Sequence, residues 1–412
     1  MELLFTSFLY LFLFAVLYFQ VFLILTLVEN KENLDITGGE TLARKPSVTI
    51  IVPIFNEENT VVKTVLSLLD LNYPKEKLFV MVVDDGSKDK SWEVVQQFKD
   101  NPQVLLHKKE NGGKYTALNY AIEHATSELI GCLDADSFVD SEALIHMMPY
   151  FDNPEVAAVT PSLKIQNPDS ILGMVQSAEY SMGVFTRKIL GLLDAQYVTP
   201  GPFSIFRREI FSKVGMYKHA HNTEDLEMAL RLQDHHYKIT NAQKAVVYTV
   251  GPRTLYKLYK QRVRWTGGFI QNTIDYKKMI LNPKYGNLGV LILPLAMYSI
   301  ACSMILLCYN LFQVTSSAIT KIEQLNIVGF NWSFHTITFE WFLYNLQTTF
   351  LIGAFVVSVV LFAIWYGKRL TGIKDKHSFD FVYFLLIYSL ISPLWLVTSV
   401  YNTLTRRDAA WR

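Results

Sequence analysis

Leu129-Ile130-Gly131-Cys132-Leu133-Asp134-Ala135-Asp136 is an apolar run that ends in two carboxylates. A short apolar run bounded by polar residues reads as a strand buried on both faces, the kind found inside parallel sheets. In open α/β sheets ligands bind just beyond the carboxyl ends of the strands, which is where Asp134 and Asp136 would emerge. Two carboxylates crowded there repel each other, and a divalent cation relieves that repulsion. Oxygen-only ligands favour a hard ion, Mg²⁺ or Mn²⁺. By itself the motif decides nothing, because Asp-x-Asp is equally at home in a solvated loop.

Working back towards the amino terminus, the same pattern recurs. Residues 48–54 form an apolar strand that breaks at Pro53-Ile54-Phe55-Asn56-Glu57-Glu58. Val61, Val62, Val65, Leu68 and Leu69 then recur at helical spacing, with Asn56 expected as the cap. Residues 78–83 are the next strand, stopped by Asp84-Asp85-Gly86-Ser87. A helix over 90–98, a short strand over 104–106, and a helix opened by Asn111-Gly112-Gly113-Lys114 and running to 124 complete this half. Alternating strand and helix predict an α/β fold with a mostly parallel sheet. Three strands then deliver polar, mostly acidic residues to one edge of the sheet.

Downstream the pattern loosens. A strand is expected over 156–160 and a long helix over 170–193. Thr199-Pro200-Gly201-Pro202-Phe203-Ser204 is a loop leading into Ile205-Phe206-Arg207. Thr223-Glu224-Asp225 begins a helix with apolar positions Leu226, Ala229, Leu230 and Leu232; acids in a first turn are also ordinary dipole partners. Residues 253–264 hold Arg253, Lys257, Lys260, Arg262 and Arg264 without an acid, then Trp265. Such a stretch suits a basic amphipathic helix on anionic headgroups, with the tryptophan as an interface anchor. His219, His221, His235 and His236 read as surface groups, since no carboxylate or cysteine pattern makes them ligands.

The chain has 412 residues, 50% hydrophobic and 14% aromatic, with a formal net charge of +1, which gives no support for nucleic-acid binding. Its three cysteines have neither metal-ligand spacing nor a disulfide framework. Residues 3–28 carry no charge, follow no basic start and exceed a signal-peptide core, so they predict a retained membrane helix. Three further apolar stretches, about 288–314, 341–366 and 380–404, contain one charged residue, Asp380, at an edge. Ionisable groups inside the membrane mark ion-coupled transporters, and their absence argues against one. Tyr298, Tyr309, Tyr344, Trp365, Tyr388 and Trp395 suit aromatic belts better than a stacked sugar path. The expected organisation is a transmembrane helix over 1–28, a linker over 29–46, a soluble domain over 47–252, interface helices over 253–285 and a membrane domain over 286–412. Lys31, Arg44, Lys45 and the basic helix put residues 29–285 on the cytoplasmic side. A fourth simple crossing would then place Arg406 and Arg407 outside, and Pro393 offers a break that would make the last segment a re-entrant or interfacial element.

Together, Pro53-Ile54-Phe55-Asn56-Glu57, Asp84-Asp85-Gly86-Ser87, Asp134-Ala135-Asp136, Thr223-Glu224-Asp225 and Gln261-Arg262-Val263-Arg264-Trp265 occur in one order. The set resembles the membrane-embedded, processive members of glycosyltransferase family 2, among them the cellulose, chitin, hyaluronan and poly-N-acetylglucosamine synthases. The resemblance covers residues 47 to about 270 and implies a GT-A type nucleotide-sugar-binding domain, helices on both faces of its sheet, flanked by transmembrane helices. It implies that Phe55, Asn56 and Glu57, with Asp84 or Asp85, hold the uracil and ribose of a UDP-sugar, and that Lys114 approaches the nucleotide. Asp134 would lie near ribose and metal, and Asp136 would ligate Mg²⁺ or Mn²⁺. Asp225, beside Glu224, would be the general base of an inverting transfer, its pKa raised by burial or by its neighbour. Gln261, Arg264 and Trp265 would sit at the growing glycan acceptor and the diphosphate, with Ser204 a further acceptor contact and Glu179 at the membrane boundary or the acceptor. The donor expected from the resemblance is UDP-N-acetylglucosamine. Two other functions fit the same residues: transfer of one sugar to a lipid such as polyprenyl phosphate or ceramide, and a non-catalytic nucleotide-sugar receptor in the bilayer. An accessory export or regulatory subunit leaves no signal in the chain.

Overall fold

Side-chain alternation in β1 (Val48–Ile54) sets the layering. Val48, Ile50, Val52 and Ile54 enter one buried cluster and Ile51 another, as successive residues of a strand must. The computed structural model describes residues 2–30, 45–328, 348–372 and 379–407. Most of the linker expected over 29–46, and residues 341–347 of one expected span, lie outside them.

After α1 (Glu2–Glu29), the described chain runs through β1, α2 (Val61–Leu69), β2 (Leu78–Asp84), α3 (Ser91–Val95), β3 (Val104–Lys108), α4 (Lys114–His124) and β4 (Leu129–Cys132). Then come β5 (Ser137–Val139), α5 (Ala143–Met147), β6 (Val156–Ile165), α6 (Ile171–Leu192), β7 (Ser204–Arg207), α7 (Arg208–Val214), α8 (Glu224–Asp234) and β8 (Lys238–Thr249). The chain continues in α9 (Leu255–Asp275), α10 (Leu293–Val328), α11 (Thr348–Leu370), α12 (Asp380–Tyr383) and α13 (Ser389–Leu404). By compactness it divides into Met1–Phe22 with Leu295–Val360, made of stretches of α1, α10 and α11, and Leu23–Pro294 with Leu361–Arg412, which holds the sheet.

The eight strands lie in the order β3-β2-β1-β4-β7-β6-β8-β5. β3, β2, β1 and β4 are parallel, while β7 is antiparallel to both β4 and β6, and β8 is parallel to β6. Six strands therefore run one way, with β7 and β5 reversed. The reversal of β7 matters for the site: Ser204 pairs with Cys132, so the loop before β7 arrives at the edge where β4 releases Asp134. The sequence pattern showed only a loop leading into Ile205-Phe206-Arg207, and neither the strand nor its direction. One face of the sheet packs on α2 and α5 through Val61, Val65, Leu144 and Met147. The other packs on α4 and α8 through Ala117, Leu118, Ala121, Met228 and Leu232, so helices cover both faces.

Two local expectations are corrected. Asn56 caps no helix, because α2 starts only at Val61, after Thr60. Pro393 does not break the last segment: α13 runs through it, preceded by a π-helical turn over Phe384–Tyr388. Among the described residues four helical segments, Ser7–Glu29, Leu288–Gln324, Leu351–Leu370 and Asp380–Leu404, are long and apolar enough to cross a membrane.

Candidate active site

The turns after β1 and β2 lock onto each other. Asn56 holds a left-handed backbone (φ 56°), which asparagine tolerates better than most residues. Its N–H donates to Ser87 Oγ at 3.0 Å and its Oδ1 accepts from Lys88 N–H at 2.8 Å. Glu57 N–H donates to Ser91 Oγ at 2.7 Å, and Phe55 stands partly exposed beside them. Asp84 is fully buried; its Oδ1 accepts Ser87 N–H at 3.0 Å, whereas its Oδ2 has no hydrogen-bond partner and lies 3.9 Å from Lys108 Nζ. Asp85 is engaged elsewhere. Its carboxylate accepts from Lys109 Nζ at 2.7 Å and from the N–H groups of Gly112 (3.0 Å) and Gly113 (2.8 Å), shaping the loop that opens α4. Gly86, at φ 73°, lets this happen: a Cβ there would lie 2.9 Å from Asn111 N.

Lys114, the first residue of α4, joins two distant acids. Its Nζ lies 2.6 Å from Asp134 Oδ1 and 3.0 Å from Glu224 Oε1. Burial pulls its pKa down, but Asp134 and Glu224 outweigh that and hold it well above the usual lysine value. Gly201 closes over the pair, since a Cβ there would lie 2.7 Å from Lys114 Nζ and 3.1 Å from Asp134 Oδ2. A cavity of about 10 Å³, room for one water, is lined by Lys114, Cys132, Thr199, Gly201, Glu224 and Asp225.

Asp225 sits at the start of α8 on an unusual turn. Ala220, His221 and Asn222 all have positive φ (47°, 53° and 61°), a costly run for residues with a Cβ. The turn is pinned from both sides. Thr199 donates through N–H (3.4 Å) and Oγ1 (2.7 Å) to the Asp225 carbonyl. From α9, Asn272 Nδ2 donates to Thr223 Oγ1 (2.9 Å), Arg264 Nη1 donates to the Asn222 carbonyl (2.7 Å), and Gly268 leaves room for the Thr223 side chain. Burial, then the neighbouring Glu224 charge, pushes the Asp225 carboxyl up to about 6, with Lys114 and Arg264 pulling the other way. A carboxylate with that pKa is a competent proton acceptor near neutral pH.

Other residues of interest on α9 face a different neighbourhood. Arg262 is buried, pairs with Glu179, and stacks over the Trp265 ring with its guanidinium carbon 4.2 Å from the centroid. Gln261 Oε1 accepts from the same guanidinium. Ser204 is buried and its hydroxyl donates to the Pro200 carbonyl at 2.6 Å, so it braces the Thr199–Phe203 loop. Asp136 is partly buried, with Ser137 Oγ donating to its Oδ1 at 3.3 Å.

Lys114, Asp134, Glu224 and Asp225 thus meet, with Arg264 within electrostatic reach. Phe55, Asn56, Glu57, Asp84 and Asp85 form the adjoining turn network, while Gln261 and Trp265 gather around Arg262. Among the described residues no group of three or more His, Cys, Asp or Glu side chains is placed to hold a metal alone. Asp134 and Asp136 offer the one or two carboxylates that Mg²⁺ or Mn²⁺ takes when phosphate oxygens complete its shell, so the donor set fits such an ion. Sequence reasoning did not single out Thr199 or Gly201 as site residues. Their only signal was the glycine between two prolines ahead of a strand.

The profile described as glycosyl transferase family 2 matches residues 49–215. A poly-beta-1,6-N-acetyl-D-glucosamine synthase of Staphylococcus epidermidis is 30% identical over 344 residues, covering 82% of this chain and 80% of the relative. One from Staphylococcus aureus (strain MSSA476) is 33% identical over 225 residues, 54% of each chain. Among solved structures, a mannosyltransferase from Pyrobaculum calidifontis in complex with GDP-Man and Mn²⁺ superposes with a TM-score of 0.56 at 16% identity, covering 95% of this chain and 99% of that one, a likeness of fold.

Proposed function

The chain belongs to glycosyltransferase family 2, and we propose that it polymerises N-acetylglucosamine from UDP-N-acetylglucosamine into a β-1,6-linked polysaccharide. It is a glycosyltransferase; the donor, the linkage and the residue roles are the proposal. The observation that carries the mechanism is Asp225, a raised carboxyl held beside Glu224, Lys114 and Arg264 at the ligand-binding edge of the sheet.

The turn network of Phe55, Asn56, Glu57 and Asp84 holds the nucleoside, the buried Asp84 Oδ2 being the open acceptor; Asp85 contributes by fixing the loop beneath Lys114. Asp225 removes the proton from the acceptor hydroxyl. The hydroxyl oxygen attacks the anomeric carbon from the face opposite the leaving group, the bond to UDP breaks, and the configuration inverts. Lys114 and Arg264 offset the negative charge that gathers on the departing diphosphate in a water-poor site. Asp134 and Asp136 would hold Mg²⁺ or Mn²⁺, which supplies further neutralisation of that diphosphate when bound. Trp265 presents its face to the acceptor sugar, whose axial C–H groups are apolar. The sheet-bearing unit works on the cytoplasmic side, and the polymer leaves through the membrane helices.

Purified protein given labelled UDP-N-acetylglucosamine and Mn²⁺ should release UDP and accumulate long glycan cleaved by a β-1,6-specific hexosaminidase. A product carrying one sugar on a lipid would overturn polymerisation, and indifference to this donor with turnover of another UDP-sugar would overturn the donor assignment.

A further inference from the structure

The helix that carries Trp265 is tied to the last apolar helix through one buried polar group. Arg262, 4% exposed, donates from Nη2 to Glu179 Oε2 on α6 and from Nε to the Tyr388 hydroxyl at 3.1 Å. That hydroxyl in turn donates to Glu179 Oε1, so glutamate, arginine and tyrosine close a ring of hydrogen bonds. Tyr388 lies on the π-helical turn Phe384–Tyr388, and its ring is wedged against Trp395 at 5.0 Å. π turns recur at functional positions because they re-aim a side chain that a regular helix would point elsewhere.

Arg262 and Trp265 are three residues apart and share one face of α9. The guanidinium lies 4.2 Å from the indole centroid, with Gln261 Oε1 accepting one of its protons. A cation stacked on tryptophan is an attraction that also fixes the ring plane. Glu179 and Tyr388 in turn hold the guanidinium where it meets the indole. Two further ties join the same helices away from this ring: Tyr259 OH to Thr398 Oγ1 at 2.7 Å, and Ser399 Oγ donating to the Val263 carbonyl at 3.1 Å.

We propose that Tyr388 and Glu179 are positioning residues that set the Trp265 ring through Arg262, so that the last membrane helix fixes the acceptor end of the site and with it product length. The inference rests on Trp265 being the acceptor platform. Loss of the Tyr388 hydroxyl leaves Arg262 Nε and Glu179 Oε1 each short of a partner, which loosens the place of the guanidinium over the indole.

The test uses the full chain in lipid nanodiscs, measuring UDP release, donor KM and glycan length together. Tyr388→Phe should shorten the product about fivefold, the size of a coupling between contacting groups, with donor KM unchanged. Glu179→Gln should do the same more strongly. In a Trp265→Phe background, Tyr388→Phe should add nothing, because its route has been removed. Tyr259→Phe, which cuts a different tie between the same helices, should leave length unaltered. Wild-type length in both Tyr388→Phe and Glu179→Gln overturns the proposal, as does an additive effect on Trp265→Phe or equal shortening by Tyr259→Phe. A wild-type enzyme that adds one sugar only would instead remove the polymerisation on which product length depends.

Discussion

Helix α8 carries two sets of buried charge one turn apart, and they are balanced differently. Glu227 lies 2.5 Å from Arg231 Nη2, accepts from the Tyr276 hydroxyl at 2.7 Å, and Arg231 donates onward to the Val214 and Met216 carbonyls. Each charge there has an answering partner. At the helix start, Glu224, Asp225 and Asp134 crowd together with Lys114 bridging two of them, and the Asp225 carboxyl rises to about 6. A buried pair that is closed on itself holds shape; a carboxylate in an acid-rich cluster has a proton affinity useful for chemistry. The difference locates function within one helix.

The comparison can be broken most easily at Asp225. Asp225→Asn should lower turnover by about 10²–10⁴-fold, the range for losing a general base, with UDP affinity, read by calorimetry, unchanged. On the closed side, Glu227→Gln should leave Arg231 buried without its counter-charge and cost about 3 kcal/mol of stability. It should lower the thermal midpoint while the pH dependence of the residual activity stays that of the wild type. A smaller effect is expected at Gly201→Ala. The new methyl displaces the end of Lys114 from Asp134, and turnover should fall about tenfold through lost positioning, with an unchanged thermal midpoint.

The smallest effect concerns stability. Asp225 binds its proton in the folded state up to about pH 6, but in the unfolded chain only to about pH 4. Between those values the folded state holds the extra proton, so stability falls as pH rises across that window and stays lower at neutral pH. Asp225→Asn should therefore make the protein more stable at neutral pH, visible as a raised midpoint in an inactive variant. An unchanged midpoint would mean that the carboxyl is not held at a cost.

Much of this was legible in the order of residues. Apolar runs ending in acids gave the parallel strands and their functional edge, because strand burial and strand ends are local properties. Thr223-Glu224-Asp225 and Gln261-Arg262-Val263-Arg264-Trp265 were recognisable as motifs. What was hidden depended on contacts made across long separations. Asp85 looked equivalent to Asp84, yet its carboxylate is taken up by Gly112 and Gly113, which no spacing rule announces. Asn56 had the composition of a cap but is turned by its left-handed backbone towards Lys88. Gly201 reaches Lys114 only because β7 runs against β4, and strand direction is set by the chain's path rather than by its pattern. Glu179 and Tyr388, 209 residues apart, could be paired only in three dimensions.

The most direct test of the account is the pH profile of UDP release at saturating donor and acceptor, for the wild type and for Lys114→Met. The wild-type rate should fall about tenfold per pH unit below about 6. Lys114 pulls Asp225 down, so its loss should move that limb to higher pH. A wild-type profile flat from pH 5 to 8, or a limb that stays in place without Lys114, would contradict the assignment of Asp225 as the base.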